Sequence, residues 1–281
     1  MQKSLPRRLE AIVGGTANFI LADAKDADMA FGIRAPGTGW DGRPRSLAEY
    51  RQKIRDVVQQ GLVDIVIMSA STNEALALDE RIFDGTAVTP AARANDTTDI
   101  WLSRGGTYAE AASLPFRTAS IEHIQCGRQT CSPEERGTGT NLGLYSMTFN
   151  NDVARDCATL EAFKQFRLEA EAKGFRYFLE VFAPNVKGAV PSEDVGAFLN
   201  DHIVRALAGV TRAALAELPE DQRLAFVLQT IEGLTADEAA SVMQCPVNTA
   251  RSRKILAIKK LRARLQTVWD TESIFLRSTR S

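Results

Sequence analysis

Between Pro246 and Leu265 the chain carries Arg251, Arg253, Lys254, Lys259, Lys260, Arg262 and Arg264 and no acidic residue. Cations at helical spacing neutralise the phosphates of a nucleic-acid duplex, and polar side chains near the start of such a helix reach base edges. This predicts Asn248, Thr249, Arg251, Ser252, Arg253 and Lys259 at the contact, with Thr235 at the start of the helix before. A basic run alone is also what a solvated helix face looks like, so its meaning depends on what precedes it. A second set of polar residues, Arg34, Ser69, Asp96, His123, Asn150 and Glu180, stands at or near the ends of apolar runs earlier in the chain. Within it, His123 and Glu180 are the pair whose types suit acid–base catalysis; the other reading makes all six loop hydrogen-bonders.

The elements that must position the basic run are legible. Pro219 suits the first turn of a helix that carries Leu224, Val227, Leu228 and Ile231 on one face and ends at Gly233. Thr235, with Glu238 three residues on, is a capping box opening a short second helix, with Ala239, Val242 and Met243 facing inward. Cys245-Pro246 stops that helix and starts another. Two short helices joined by a tight turn make a helix-turn-helix unit, whose second helix fits the major groove.

The segments Leu-Pro-Glu-Asp-Gln-Arg from Leu218, Glu-Gly-Leu-Thr from Glu232 and Cys-Pro-Val-Asn-Thr-Ala-Arg-Ser-Arg from Cys245 resemble, in order and spacing, region 4 of the sigma-70 family. The likeness is to the extracytoplasmic-function type and spans about Ala213–Leu265. It implies binding to the promoter element upstream of the start site, with Asn248, Thr249, Arg251, Ser252 and Arg253 at the DNA and the other face on the RNA polymerase flap. Three departures stand out. Gln244 replaces the usual turn glycine, which carries a strain cost if that position needs positive φ. Lys254 stands where a core leucine is common, and Ile255, Leu256 and Ile258 occupy positions that are often basic. Region 2, the part of a sigma factor that melts promoter DNA, has no counterpart in residues 1–212.

Those residues alternate short apolar runs with amphipathic stretches, as a parallel sheet with covering helices does. Strands are expected at Met29–Arg34, Val63–Ala70, Val88–Ala94, Ala119–Gln125, Leu142–Phe149 and Phe175–Phe182. Helices are expected at Ser46–Gln60, Asn73–Asp79, Ala158–Lys173 and about Asp194–Arg212. The texture of Met29–Gly37 and of Phe175–Asn185 resembles strands of class I aldolase-type barrels, which implies a carbon–carbon lyase. Such a barrel needs eight strands, and about six are found; the strands whose loops build the phosphate site are the missing ones. A class I aldolase also needs a Schiff-base lysine on a strand, and Lys3, Lys25, Lys53, Lys164, Lys173 and Lys187 all fall outside the expected strands. Gly137-Thr-Gly-Thr140 matches neither a Walker loop nor a dinucleotide fingerprint and reads as a flexible loop. The fold class is therefore α/β, with incomplete TIM-barrel-like β/α units in residues 1–212, followed by an all-α helix-turn-helix domain in residues 213–281.

With 281 residues, 44% of them hydrophobic, the chain can bury a full core, and its formal charge of −1 confines any nucleic-acid attraction to local clusters. Four cysteines, Cys126, Cys131, Cys157 and Cys245, are too scattered for a disulfide framework and fit a reducing cytoplasm. Cys126, Cys131 and His123 fall short of the four ligands of structural zinc, and no residues call for a cofactor. Glu10, Gly14, Gly15 and Asn18 interrupt the apolar run after Lys3, Arg7 and Arg8, so neither a signal peptide nor a membrane span is expected. The expected partners are promoter DNA and the RNA polymerase core, with a homo-oligomer left open. The leading reading is promoter binding in transcription initiation or regulation. Two others compete: an aldolase-type lyase with a regulatory or oligomerising tail, and a fusion of two unrelated genes.

Overall fold

Ser46 and Glu49 start the first long helix as expected: the Ser46 hydroxyl accepts the Glu49 N–H (3.2 Å) and the Glu49 carboxylate accepts the Ser46 N–H (2.7 Å). In the computed structural model, which describes residues 2–13, 19–29, 37–102, 105–208, 218–231 and 234–269, this helix is α2, Leu47–Gln60, preceded by α1, Ser4–Val13. The chain divides into two compact units, Met1–Ile203 and Val204–Asp270. The expected boundary near Ala213 lies outside the described residues.

The first unit is mixed α/β, built on a half-barrel of five parallel strands in the order β1-β2-β3-β6-β7. These are β1 Ala22–Lys25, β2 Ile65–Met68, β3 Thr89–Arg93, β6 Leu142–Thr148 and β7 Arg176–Phe182; a short antiparallel pair, β4 Asp96–Thr97 and β5 Pro115–Phe116, stands apart. Alternation along β2 divides the core. Val66 and Met68 pack with Tyr50, Ile54 and Val58 of α2, while Ile65 and Ile67 turn to the opposite face, with Leu5 of α1, Ala91, Leu142 and Leu144. Truncating a fully buried side chain such as Ile54 would cost about 2–5 kcal/mol. Tyr145 of β6 stacks on Phe166 and tilts against Phe163 (ring centroids 4.5 and 5.3 Å) of helix α5, Val153–Ala172. Gly143 is required in β6 because a Cβ there would stand 2.6 Å from the Phe175 ring.

Several expectations are corrected. Ala119–Gln125 is not a strand: helix α4, Ile121–Cys126, starts with Ser120 accepting the His123 N–H and stops at Gly127 (φ 72°). Ile121, Ile124 and Gln125 are its buried residues, a spacing of three and four that belongs to a helix. The strand nearest the expected Met29–Arg34 is β1, Ala22–Lys25; Met29 closes a short 3-10 turn, and Ala30–Arg34 lie outside the described residues. Lys25 is thus on a strand after all, but its ammonium is held by Asp23 (2.5 Å). Both alternate with Ala22, which packs on the Ile65 face, so they point the other way. Cys126 and Cys131 form a disulfide, contrary to the expectation of unpaired cysteines; the turn at Gly127 brings their Cα atoms to 6.2 Å, within disulfide reach.

Asn73–Asp79 is helical, entered through α3, Ala70–Asn73, and wider than an α-helix from Glu74 on. Helix α6, Val195–Ala206, follows β7. Among the described residues no helix is long and apolar enough to cross a membrane, and no cluster of His, Cys, Asp or Glu could hold a metal.

Candidate nucleic-acid interface

In the second unit Pro219 caps helix α7, Glu220–Phe226, which continues in wider turns through Ile231; α8 is Ala236–Val242 and α9 is Val247–Trp269. The Thr235 hydroxyl accepts the Glu238 N–H (3.3 Å) and the Glu238 carboxylate accepts the Thr235 N–H (2.8 Å), completing the expected capping box. Gly233 lies outside the described residues.

The turn between α8 and α9 is closed by two hydrogen bonds, Cys245 N–H to Ala240 O (3.1 Å) and Gln244 N–H to Ser241 O (3.2 Å). That pattern needs a left-handed residue between them, and Gln244 takes it with φ 49°. Gln244→Gly is therefore expected to stabilise this unit by about 1 kcal/mol, the left-handed cost of a side chain less the extra freedom of glycine. Hydrogen exchange of the α8 and α9 amides in the full chain measures it; unchanged or faster exchange would count against the strain.

Small residues bring the three helices together. Ala225, Ala239, Ala240, Ala250 and Ala257 are buried, with Leu218 packed on Ala257 beside Phe226 and Val227. Val242, expected to face inward, is 57% exposed, and Leu224, expected on the apolar face of its helix, is 41% exposed. The missed signal was Ala250 and Ala257, two turns apart on one stripe. Opposite that stripe, Asn248, Arg251, Ser252, Ile255, Leu256, Lys259 and Lys260 are exposed. No acid lies within ion-pair distance of Arg251, Lys259 or Lys260 among the described residues.

The candidate contact residues differ in their freedom. Arg253 is bridged to Asp221 of α7 (2.9 Å), and Lys254 reaches Gln229 O (3.4 Å), so both tie α9 to α7. Gln229 in turn donates to Ala250 O (3.1 Å). Ser252 donates its hydroxyl back to Asn248 O (2.7 Å), and Thr235 is engaged in its capping box. Thr249 is half-buried. Arg251, Lys259 and Asn248 present the open polar edge.

The polar residues of the first unit form a different arrangement. At the carboxyl ends of the parallel strands the Arg93 guanidinium is buried against Asp26, donates to Ser146 Oγ (2.9 Å), and Ser146 donates to Glu180 (3.1 Å). Ser69 caps α3 and donates to Asp28 (2.6 Å), and Asn150 donates to Asn185 (2.7 Å). His123 stands on α4 with its ring 3.4 Å from Glu74, not in the Arg93 network, so the expected pairing of His123 with Glu180 does not form. Arg34 lies outside the described residues.

Asp96 is buried; one oxygen accepts a long bond from Thr118 (3.4 Å) and the other accepts none. Burial pushes its carboxyl up to about 6, against the pull of Arg93. A carboxyl whose folded pKa is raised contributes stability that is complete below its unfolded value, about 3.9, and is lost as pH rises through the folded one. Asp96→Asn is expected to remove this loss, on the order of 2–3 kcal/mol. Urea unfolding of both proteins at several pH values reads it; parallel pH profiles would refute the assignment.

The two short helices, the αL turn and the exposed basic stripe define a helix-turn-helix domain. Residues 209–261 match the family model for Sigma-70, region 4, and form a domain of that kind, wholly within the second unit. The RNA polymerase sigma-H factor of Pseudomonas aeruginosa is 37% identical over 89 residues, 27% of this chain and 46% of that protein. The ECF RNA polymerase sigma-E factor of Haemophilus influenzae is 33% identical over 73 residues, covering 26% and 39%. That of Escherichia coli is 49% identical over 39 residues, covering 14% and 20%. The chain spans less than half the length of these relatives.

Proposed function

We propose that the chain binds promoter DNA through its region 4 domain and acts in transcription initiation or its regulation. The observation that carries this reading is the exposed, acid-free basic stripe of α9, set behind a capped helix and a closed αL turn. In this reading Arg251 and Asn248 reach base edges, Lys259 meets phosphate, and Thr249 and Ser252 flank them. Arg253, through Asp221, fixes the angle of α9 and keeps N–H groups for phosphate. Thr235 lies at the start of α8, where a helix N-terminus favours a phosphate. The RNA polymerase core, at its flap, is the proposed protein partner, and the proposed domain boundary is near Ala213. The cytoplasm is proposed as the compartment on the likeness to sigma factors alone, since the Cys126–Cys131 disulfide removes the cysteine argument for it.

Fluorescence anisotropy of the full chain on promoter-like duplexes across a salt titration tests it. Affinity falling steeply with salt, with a preference among sequences, is expected; a flat salt response would overturn the reading.

The Arg93 network favours a second reading for the first unit alone, a small-molecule site at the strand ends, with aldolase-type lyase chemistry as its enzymatic form. Borohydride with a ketone phosphate would then leave a covalent adduct on a lysine, and an unmodified intact mass would dismiss the lyase.

A further inference from the structure

Ile255 is 64% exposed, among the most exposed large apolar side chains of the second unit. It stands in the middle of the open stripe of α9: Asn248, Arg251 and Ser252 lie seven, four and three residues before it and Lys259 four after, all exposed. Those spacings put the five side chains on one helix face, opposite buried Ala257. Ile255 is ringed by cations and the Asn248 amide, and what lies beside it on α9, Leu256 and Ile258, leaves it 64% exposed among the described residues.

We infer that Ile255 packs against the 5-methyl group of a thymine in the major groove, which makes it a sequence-determining residue of the domain. The inference rests on the reading of α9 as the DNA-contacting helix. Among base edges in the major groove, the thymine methyl is the apolar feature, and it lies beside the base edges that Arg251 reads and inside a rim of phosphates that matches Lys259. A protein partner would have to offer an apolar knob within an anionic collar to fit the same surface, whereas duplex DNA has both by construction. The side chain suits the task, since a β-branched residue in a helix holds essentially one χ1 rotamer and loses little freedom on contact. Arg251 and Ile255 are separated by a rise of about 6 Å along the helix. Base pairs are stacked about 3.4 Å apart, so the thymine should lie within about two steps of the base pair that Arg251 reads.

The test starts from a duplex selected out of a randomised pool by the full-length protein. Each thymine is then replaced in turn by deoxyuridine, which removes the methyl group and nothing else. One position, or two adjacent ones, should weaken binding by about three- to tenfold for the native chain. Ile255→Ala should bind the parent duplex more weakly by a similar factor, keep its salt slope, and no longer distinguish thymine from deoxyuridine there. Ile255→Val should fall between. Deoxyuridine without effect at every position, or an Ile255→Ala variant as sensitive as the native chain, would overturn the inference. So would an Ile255→Ala variant that loses only association with RNA polymerase core, which would make Ile255 a protein contact. Failure to select any duplex with salt-dependent affinity would instead strike the DNA-binding reading beneath it.

Discussion

Arg251→Ala is expected to weaken DNA binding by about ten- to a hundredfold and to erase the sequence preference at one base pair. A bidentate arginine–guanine contact discriminates by about 1–3 kcal/mol. Arg251 is the arginine placed to make one, being exposed on the second turn of α9 with no carboxylate in ion-pair reach among the described residues. Arg253, two residues on, is held by Asp221, so Arg253→Ala should loosen the seating of α9 and change affinity without singling out a base. Two further measurements separate charge from geometry. The logarithmic salt slope of Arg251→Ala should be shallower by up to about one, for the cation lost from the phosphate-lined groove. Arg251→Lys should recover that slope but not the base preference, because an ammonium lacks the planar fork. An Arg251→Ala chain that binds its selected duplex with native affinity would refute the placement of this helix in the groove.

In the first unit the largest effect is expected from Arg93→Ala, a loss of about 3–5 kcal/mol of stability. Its guanidinium is buried between Asp26 and Ser146, and through Ser146 it reaches Glu180. Removing it leaves the Asp26 carboxylate in a low-dielectric interior without its counter-charge, the situation in which breaking a buried pair costs most. The double variant Arg93→Ala, Asp26→Ala should recover part of the loss, since the orphaned charge is then gone as well; the difference gives the coupling between the two. Urea-dependent hydrogen exchange of the β6 segment in the full chain is the readout, because it follows the first unit regardless of how the second melts. Additive losses in the two single variants would show that the pair is not coupled.

The two units differ in how much of them could be read in advance, for a physical reason visible in particular residues. Thr235 with Glu238, Pro219 and the Cys245-Pro246 turn act through hydrogen bonds and dihedral limits that span three or four residues, and the structure has each where the local chemistry requires. The same holds for Ser46 with Glu49, and for β2, β3, β6 and β7, whose apolar runs are long enough to mark buried strands. At α4 the apolar Ile121 and Ile124 suggest a strand, whereas Ser120 and Gly127 bracket a helix. The caps decide there, because a run of so few apolar residues fits either element.

Taken alone, then, the sequence determined the helix-turn-helix, the missing turn glycine at Gln244, the alternation of strand and helix in the first unit, and the absence of acids among the cations of α9. Those properties depend on neighbours along the chain, which a sequence displays directly. Only the tertiary structure decided that Arg253 turns to Asp221 while Arg251 stays open, that alanines rather than Leu224 and Val242 fill the helix junctions, and that Asp26, Arg93, Ser146 and Glu180 share one buried network. It also moved His123 to a helix beside Glu74, and turned Lys25 to the outer face of its strand. Each of these depends on strand register and on helix rotation about its own axis, where a slip of one residue exchanges the inner and outer faces. Such registers are set by the packing of segments far apart in sequence.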